Sequence, residues 1–248
     1  MQPLIRLALW SGSLALLGCS EQQESQQDGP RQVVVVTSHT WNSVEATLRR
    51  FERKAVSGAW HEVGKPMAAV VGRNGLAWGR GSHPLQAAGP RKREGDGRAP
   101  AGVFSFVSAF GYADREQIPF VRMPYERMTK SWVCVDDPAS KNYNRVFDAL
   151  GGPAADWTSA ETMLREDSLY SLGLVIGHNR DGTASAGSCI FLHSWVGPGA
   201  GTAGCTAVSA TDVEALLRWL DPRQDPCVVQ VPLEELDLVR RTWPDLRL

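Results

Sequence analysis

The stretch "GSCIFLHSWVGPGAGTAGCTAVS", Gly187–Ser209, decides how this chain is read. An apolar run ends on His193, a glycine-rich loop follows, and the loop delivers Cys205 twelve residues later. As bare structure these are a strand, a turn and a buried thiol. As chemistry they are a base and a nucleophile brought together by a loop. A thiol is weakly ionised near neutral pH, so it needs a neighbouring base or cation before it attacks a carbonyl. Gly204 leaves room beside the thiol for backbone N–H groups to approach an oxyanion. If "SCIFLHSW" is extended, Cys189, Phe191, His193 and Trp195 share one face, because strand side chains alternate. Cys189 and His193 then lie roughly 13 Å apart at about 3.3 Å per residue. A zinc ion with bonds of about 2.0–2.3 Å does not reach both. The set His178, Cys189, His193 and Cys205 is therefore not read as a metal site, and no cofactor is expected.

Outward from this stretch the pattern is one of short strands. "YSLGLVIGHN" reads as a strand that ends at His178, and "CVVQVP" as another near the C-terminus. Between them "SATDVEALLRWLDP" is a helix capped by Ser209 with Asp212 three residues on. Val213, Leu216, Leu217 and Leu220 line one face of it, and Pro222 closes it. "LEELDLVRR" predicts a final short helix. Upstream, "QVVVVTS" at Gln32–Ser38 is a β-branched strand. "NSVEATLRRFERKA" predicts a helix, with Val44, Leu48, Phe51 and Ala55 at helical spacing and Glu45 three residues after Asn42. Asn74-Gly75 between apolar stretches predicts a hairpin. "AGVFSFVSAF" and "SWVCVDD" read as strands. Many short strands, glycine turns and few helices predict a single mainly β domain, sandwich-like, with a few peripheral helices.

The composition narrows the classes of function. The chain has 248 residues, 43% of them apolar, which is enough to bury a core. A formal net charge of −1 points to no nucleic acid partner. Nine tryptophans suit either a β-rich core or a groove for an extended ligand. At the N-terminus Arg6 precedes the apolar "LALWSGSLALLG" and then Cys19. That run is too short to span a bilayer and has the length of a signal peptide core. "LLGC" resembles a bacterial lipoprotein signal, in which cleavage exposes a cysteine for acylation. Residues 1–18 are read as the signal, 19–31 as a polar tether and 32–248 as the folded domain. The expected product is exported and held to the membrane through lipid on Cys19, facing the periplasm. Ser20 after that cysteine favours the outer membrane in a Gram-negative cell. Outside the cytoplasm Cys134, Cys189, Cys205 and Cys227 can oxidise, and the sequence does not choose among their pairings.

The histidine and cysteine stretch resembles the catalytic motif of the L,D-transpeptidase family: a histidine closing a strand, a loop, then Ser or Thr two residues before Gly-Cys. Thr202, Ala203, Gly204 and Cys205 fill the second half of it. "KREGDGRAPAGVFSF" at Lys92–Phe106 is similar to the family's "T-P-x-G-x-F" pattern, through Pro100, Gly102 and Phe104. The resemblance implies the family's mainly β catalytic fold and an enzyme acting on peptidoglycan stem peptides, and a monomer is expected. It implies Cys205 as the acylated nucleophile and His193 as base, later acid, oriented by the Ser194 carbonyl. The N–H groups of Gly204 and Cys205 become the oxyanion donors. Two positions depart from the pattern. Ala203 stands where better-known members have a second histidine, and Ala207 where they have Asn or Arg. Hydrolysis of the same bond, or a silent wall-binding module, are the alternatives.

Other positions carry weaker signals. Thr202, Trp195 and His178 are candidate groove residues. Asp136, Asp137, Tyr143 and Asn144 are polar enough to bind a charged peptide, although such a turn more often caps a strand. "RKREGDG" reads as a solvated charged loop before it reads as a binding loop.

Overall fold

The valines of Gln32–Ser38 place the first strand. Val33, Val34, Val35 and Val36 are all buried, and a β-branched run buried on both faces is stable as a strand flanked on both edges. The computed structural model of the chain describes residues 29–84, 86 and 88–248. The expected signal segment, Cys19 and the expected tether residues 20–28 lie outside the described residues. The strands are β1 (Gln32–Ser38), β2 (Glu45–Glu52), β3 (His61–Glu62), β4 (Met67–Val70), β5 (Leu76–Trp78), β6 (Ala99–Gly111) and β7 (Tyr125–Arg127). They continue as β8 (Trp132–Val135), β9 (Val146–Asp148), β10 (Ala160–Thr162), β11 (Leu172–Ile176), β12 (Phe191–Ser194), β13 (Thr206–Val208) and β14 (Cys227–Pro232). Two α-helices follow the late strands, α1 (Ala210–Trp219) and α2 (Leu236–Thr242).

The main sheet runs β1-β14-β6-β11-β12-β13-β4-β2, and β2 pairs back onto β1. The sheet is closed. The domain is mainly β with few helices, as expected, but it is a barrel and not an open pair of sheets. β1 runs parallel to β14 and antiparallel to β2, so both of its edges are satisfied. The valines of β1, Phe104 of β6 and Val213, Leu216 and Leu217 of α1 belong to one core. α1 is capped as its sequence predicts, with Ser209 Oγ accepting from the Asp212 N–H at 3.1 Å. Pro222 opens a short 3-10 turn after it, and α2 lies within the predicted C-terminal helix.

Three local expectations are corrected. The stretch predicted as a helix over 42–55 is strand β2, which buries Leu48 and Phe51 on opposite faces. Its helical spacing is a weak preference, and pairing along both β1 and β4 outweighs it. Asn74-Gly75 does turn the chain, with the Gly75 N–H on Gly72 O at 2.7 Å, but no hairpin forms. β4 pairs with β13 and β2, while β5 leaves to run parallel to β6. Gly75 holds φ +85, and a Cβ there would sit 2.0 Å from Trp41 O, so only glycine fits. Finally, the strand carrying His193 begins at Phe191, because Cys189 holds φ +55. Cys189 is therefore not part of one extended run with His193, and its sulfur is in a disulfide instead.

That disulfide joins Cys189 to Cys134 of β8, with Cα atoms 5.9 Å apart. β8 belongs to a separate small sheet, β10-β8-β9, so the bridge fastens that sheet to the barrel. With the cysteines 55 positions apart in the chain, the chain-entropy model gives roughly 4 kcal/mol of stabilisation. The variant with both Cys134→Ser and Cys189→Ser is expected to lose about 2–4 kcal/mol in urea unfolding. Equal stability of variant and wild type would show that the bridge contributes nothing.

Candidate active site

β12 and β13 are parallel neighbours, with His193 opposite Ala207 and Leu192 opposite Thr206. Cys205 is the last residue before β13, so the loop from Trp195 returns the thiol to the strand beside the histidine. The return is shaped by Thr202. Its hydroxyl accepts from the Gly204 N–H at 3.1 Å and donates to the Cys205 carbonyl at 2.6 Å. A short side-chain hydroxyl that bridges two backbone groups fixes a tight turn, which gives this position its preference for Ser or Thr. The Thr202 hydroxyl is spent within the turn, so it is a shaping residue and not a free groove donor. The same bond occupies the Gly204 N–H, one of the two expected oxyanion donors.

Both members of the pair are buried, at 6% exposure each. His193 Nδ1 lies 2.8 Å from the Ser194 carbonyl. A carbonyl only accepts, so Nδ1 carries the proton and Nε2 keeps its lone pair. Burial lowers the His193 pKa to about 4, against the raising effect of the Ser194 bond. The imidazole is therefore neutral near neutral pH. Burial pushes the Cys205 thiol up to about 12, and the negative charge of Glu161 adds to the shift. The thiol accepts from the Phe191 N–H at 3.3 Å and donates to the Cys189 carbonyl at 3.5 Å. No hydrogen bond joins it to His193 among the described residues. At rest the pair is a neutral base and a protonated thiol.

Cys205 and His193 line a cleft of about 350 Å³, together with Ser194, Trp195, Thr202, Ala203, Gly204 and Ala207. Trp195 also lines a larger groove of about 790 Å³ between Thr37–Thr47 and Leu233–Leu236. That groove contains no cysteine, so chemistry, not volume, selects the smaller cleft. His178 does not line it. Its Nδ1 accepts from the Arg80 N–H at 3.2 Å and its Nε2 lies 3.0 Å from Ala186 O, which makes it a satisfied core histidine. Burial lowers its pKa to about 4 as well.

The polar turn after β8 divides its work. Asp137 caps its own turn and Thr158, while Asn144 holds the His178 and Asn179 carbonyls and the Cys189 N–H. The Tyr143 hydroxyl donates to Glu94 and accepts from the Gly187 N–H. Asp136 alone of the four faces the cleft, with a buried Oδ1 that has no partner among the described residues. The charged loop is not merely solvated. Lys92 is buried, held by Asp96 at 2.6 Å, and lines the cleft.

Tyr170, Glu161 and Arg165 also line the cleft and were not singled out by sequence. They lie far from the motif along the chain, and no spacing rule joins them to it. Comparison of the chain with models of known families, with curated proteins and with solved structures finds no match.

The two buried histidines give a pH dependence. Their folded pKa values are lowered to about 4, below the ordinary 6.5, so between these limits the unfolded chain binds more protons. Stability is present above the unfolded value and falls as pH falls through that window, by on the order of 3 kcal/mol per histidine at most. Urea unfolding at about pH 7 and about pH 4.5 should show the loss, and His178→Asn should reduce it. A wild-type chain equally stable at both would contradict neutral burial of these rings.

Proposed function

We propose that this protein is a cysteine acyltransferase of the L,D-transpeptidase type, exported, anchored through lipid on Cys19, and acting on peptidoglycan stem peptides. The observation that carries the reading is the neutral His193, oriented by the Ser194 carbonyl, sharing one cleft with the Cys205 thiol just before the neighbouring strand. The resemblance of Gly187–Ser209 to the family motif supplies the substrate class.

The chemistry follows from the protonation states. With the thiol protonated, attack requires proton transfer to His193 Nε2 as the sulfur approaches the carbonyl at the L,D bond. The C–S bond forms and the carbonyl electrons move onto oxygen. The Gly204 N–H already serves Thr202, which leaves the Cys205 N–H to meet that oxyanion. His193 then gives its proton to the departing amine, the terminal D-amino acid leaves, and a thioester remains. An incoming amine, losing its proton to His193, takes the acyl group and restores the thiol.

Hydrolysis is the second reading, and Ala203 and Ala207 favour it. Both line the cleft with methyl groups, so neither offers a polar atom to hold an acceptor amine. Transfer is preferred because Trp195, Val196, Ala200 and Gly201 wall the cleft and help exclude water.

Incubated with a tetrapeptide muropeptide and a free D-amino acid, the protein is expected to give exchange or cross-linked product by mass, abolished in Cys205→Ala. Tripeptide alone, at any acceptor concentration, establishes the hydrolase. No product and no acyl adduct on Cys205 removes both. The anchor is tested separately: a fatty-acid probe should label the wild-type protein in cells and not Cys19→Ala, and an unlabelled wild type refutes lipidation.

A further inference from the structure

The charged loop at 92–97 has no part in the reaction steps above, yet it is built against the catalytic segment. The Lys92 N–H donates to the Trp78 carbonyl at 2.9 Å, which ties the start of the loop to β5. Glu94 accepts from the Ser188 hydroxyl at 2.7 Å and from the Tyr143 hydroxyl, and so fastens the loop to the residue before Cys189. The Lys92 stem packs on Gly187, which holds φ +97, and a Cβ there would sit 2.9 Å from Lys92 Cε. Only glycine leaves that path open.

The stem carries its charge into the cleft. The Lys92 side chain is 4% exposed, and Lys92 lines the cleft together with Gly204 and Cys205. An ammonium has three N–H groups to donate. One goes to Asp96 Oδ1 at 2.6 Å and one to the Arg93 carbonyl at 2.7 Å. The third has no acceptor among the described residues. A Cβ on Gly204 would stand 3.9 Å from Lys92 Nζ, and no other cationic nitrogen comes that close to it. Gly204 is also the residue whose own N–H is taken by Thr202.

We propose that Lys92 is a catalytic residue of this cleft: its third ammonium N–H donates to the substrate carbonyl oxygen as negative charge develops there, in the role that the Gly204 N–H does not fill. The proposal rests on reading Cys205 as the acylated nucleophile. As the sulfur bonds to the carbonyl carbon, an electron pair moves onto oxygen, and Lys92 donates a hydrogen bond without giving up its proton. When the intermediate collapses the pair returns, the C–N bond breaks, and the amine leaves with the proton from His193. Lys92 ends the step unchanged.

The surrounding charges are consistent with this role. The Asp96 carboxylate also accepts from the Arg93 and Arg98 N–H groups, at 2.8 and 2.9 Å, so its negative charge is shared among three donors. Arg73 lines the same cleft without an ion pair among the described residues, but it is exposed and water screens it. Arg165 is bonded to Asp167 and Glu161. For stability alone a buried ion pair is a poor choice, since desolvation of both charges offsets most of their attraction. An ammonium preorganised beside a developing oxyanion in a water-poor site is worth far more.

Two reactions of one thiol separate this role from a structural one. Iodoacetamide alkylates Cys205 at a saturated carbon and creates no oxyanion, whereas acylation by a carbapenem passes through one. In the full chain, followed by mass, Lys92→Met should slow the acylation about 100-fold, the loss typical of one oxyanion donor, and slow the alkylation far less. Lys92→Met leaves Asp96 without its cation, so Lys92→Met with Asp96→Asn is measured beside it and should show the same split. Buried Cys227 must stay unlabelled in both, as a check of folding. With a tetrapeptide muropeptide the loss should fall on kcat and not on KM. A raised KM at unchanged kcat would make Lys92 a ground-state binding group and overturn the proposal. An acylated wild type whose variants are slowed equally in both reactions overturns the Lys92 role alone. A wild type alkylated at Cys205 but acylated by neither compound removes the acyl-transfer reading, and the Lys92 role with it.

Discussion

β1 is hydrogen-bonded on both edges, parallel to β14 and antiparallel to β2, and this double pairing closes the sheet. The polar, arginine-bearing β2 is held extended by this pairing along one edge and by β4 along the other. With it, Val33–Val36 are buried on both faces and the sheet has no long open edge at its core. Closure also fixes the far side of the barrel. β12 and β13 lie between β11 and β4, so the histidine and the cysteine are neighbours by topology before any local interaction is counted.

Local interactions then set the chemistry. Thr202 folds the turn that presents Cys205, and Ser194 selects the imidazole tautomer that keeps Nε2 unprotonated. Both act through one short hydrogen bond to backbone, which is why they sit in the sequence within a few residues of the groups they serve. Burial does the rest, and it acts in opposite directions on the two partners because it penalises charge of either sign. The imidazole stays neutral and the thiol stays protonated. A buried ion pair is expensive unless it is well solvated by protein dipoles, so a neutral resting pair is the lower-energy arrangement here.

These scales explain what was legible in the sequence. β1, β6, β11 and β14 are apolar or alternating runs, and the Ser209 cap and the apolar face of α1 are local patterns. The turn at Asn74-Gly75 is local too, but which strands it joins is not, and the hairpin expectation failed there. β2 failed for the same reason: its pairing energy comes from β1 and β4, not from its own residues. The motif at Gly187–Ser209 was readable because base, orienting carbonyl, shaping hydroxyl and thiol lie on one continuous segment. Tyr170, Glu161 and the Cys134–Cys189 pairing were not, since each depends on where a second sheet is docked. Asp136 was visible only as one of four polar turn residues, and its unpartnered oxygen distinguishes it from the other three.

The disulfide and the thiol bear on each other. Four cysteines lie in the described chain, and the two that pair are Cys134 and Cys189, while Cys205 and Cys227 remain free and buried. Oxidation and disulfide exchange proceed through thiolate, so a thiol held protonated and sheltered reacts slowly with either. An activated, low-pKa cysteine would be vulnerable in the oxidising compartment proposed for this protein. On the proposed reading, keeping Cys205 neutral until a substrate carbonyl arrives reconciles a cysteine nucleophile with that setting. The cost is a larger proton-transfer requirement at the moment of attack, which falls on the neighbouring neutral imidazole.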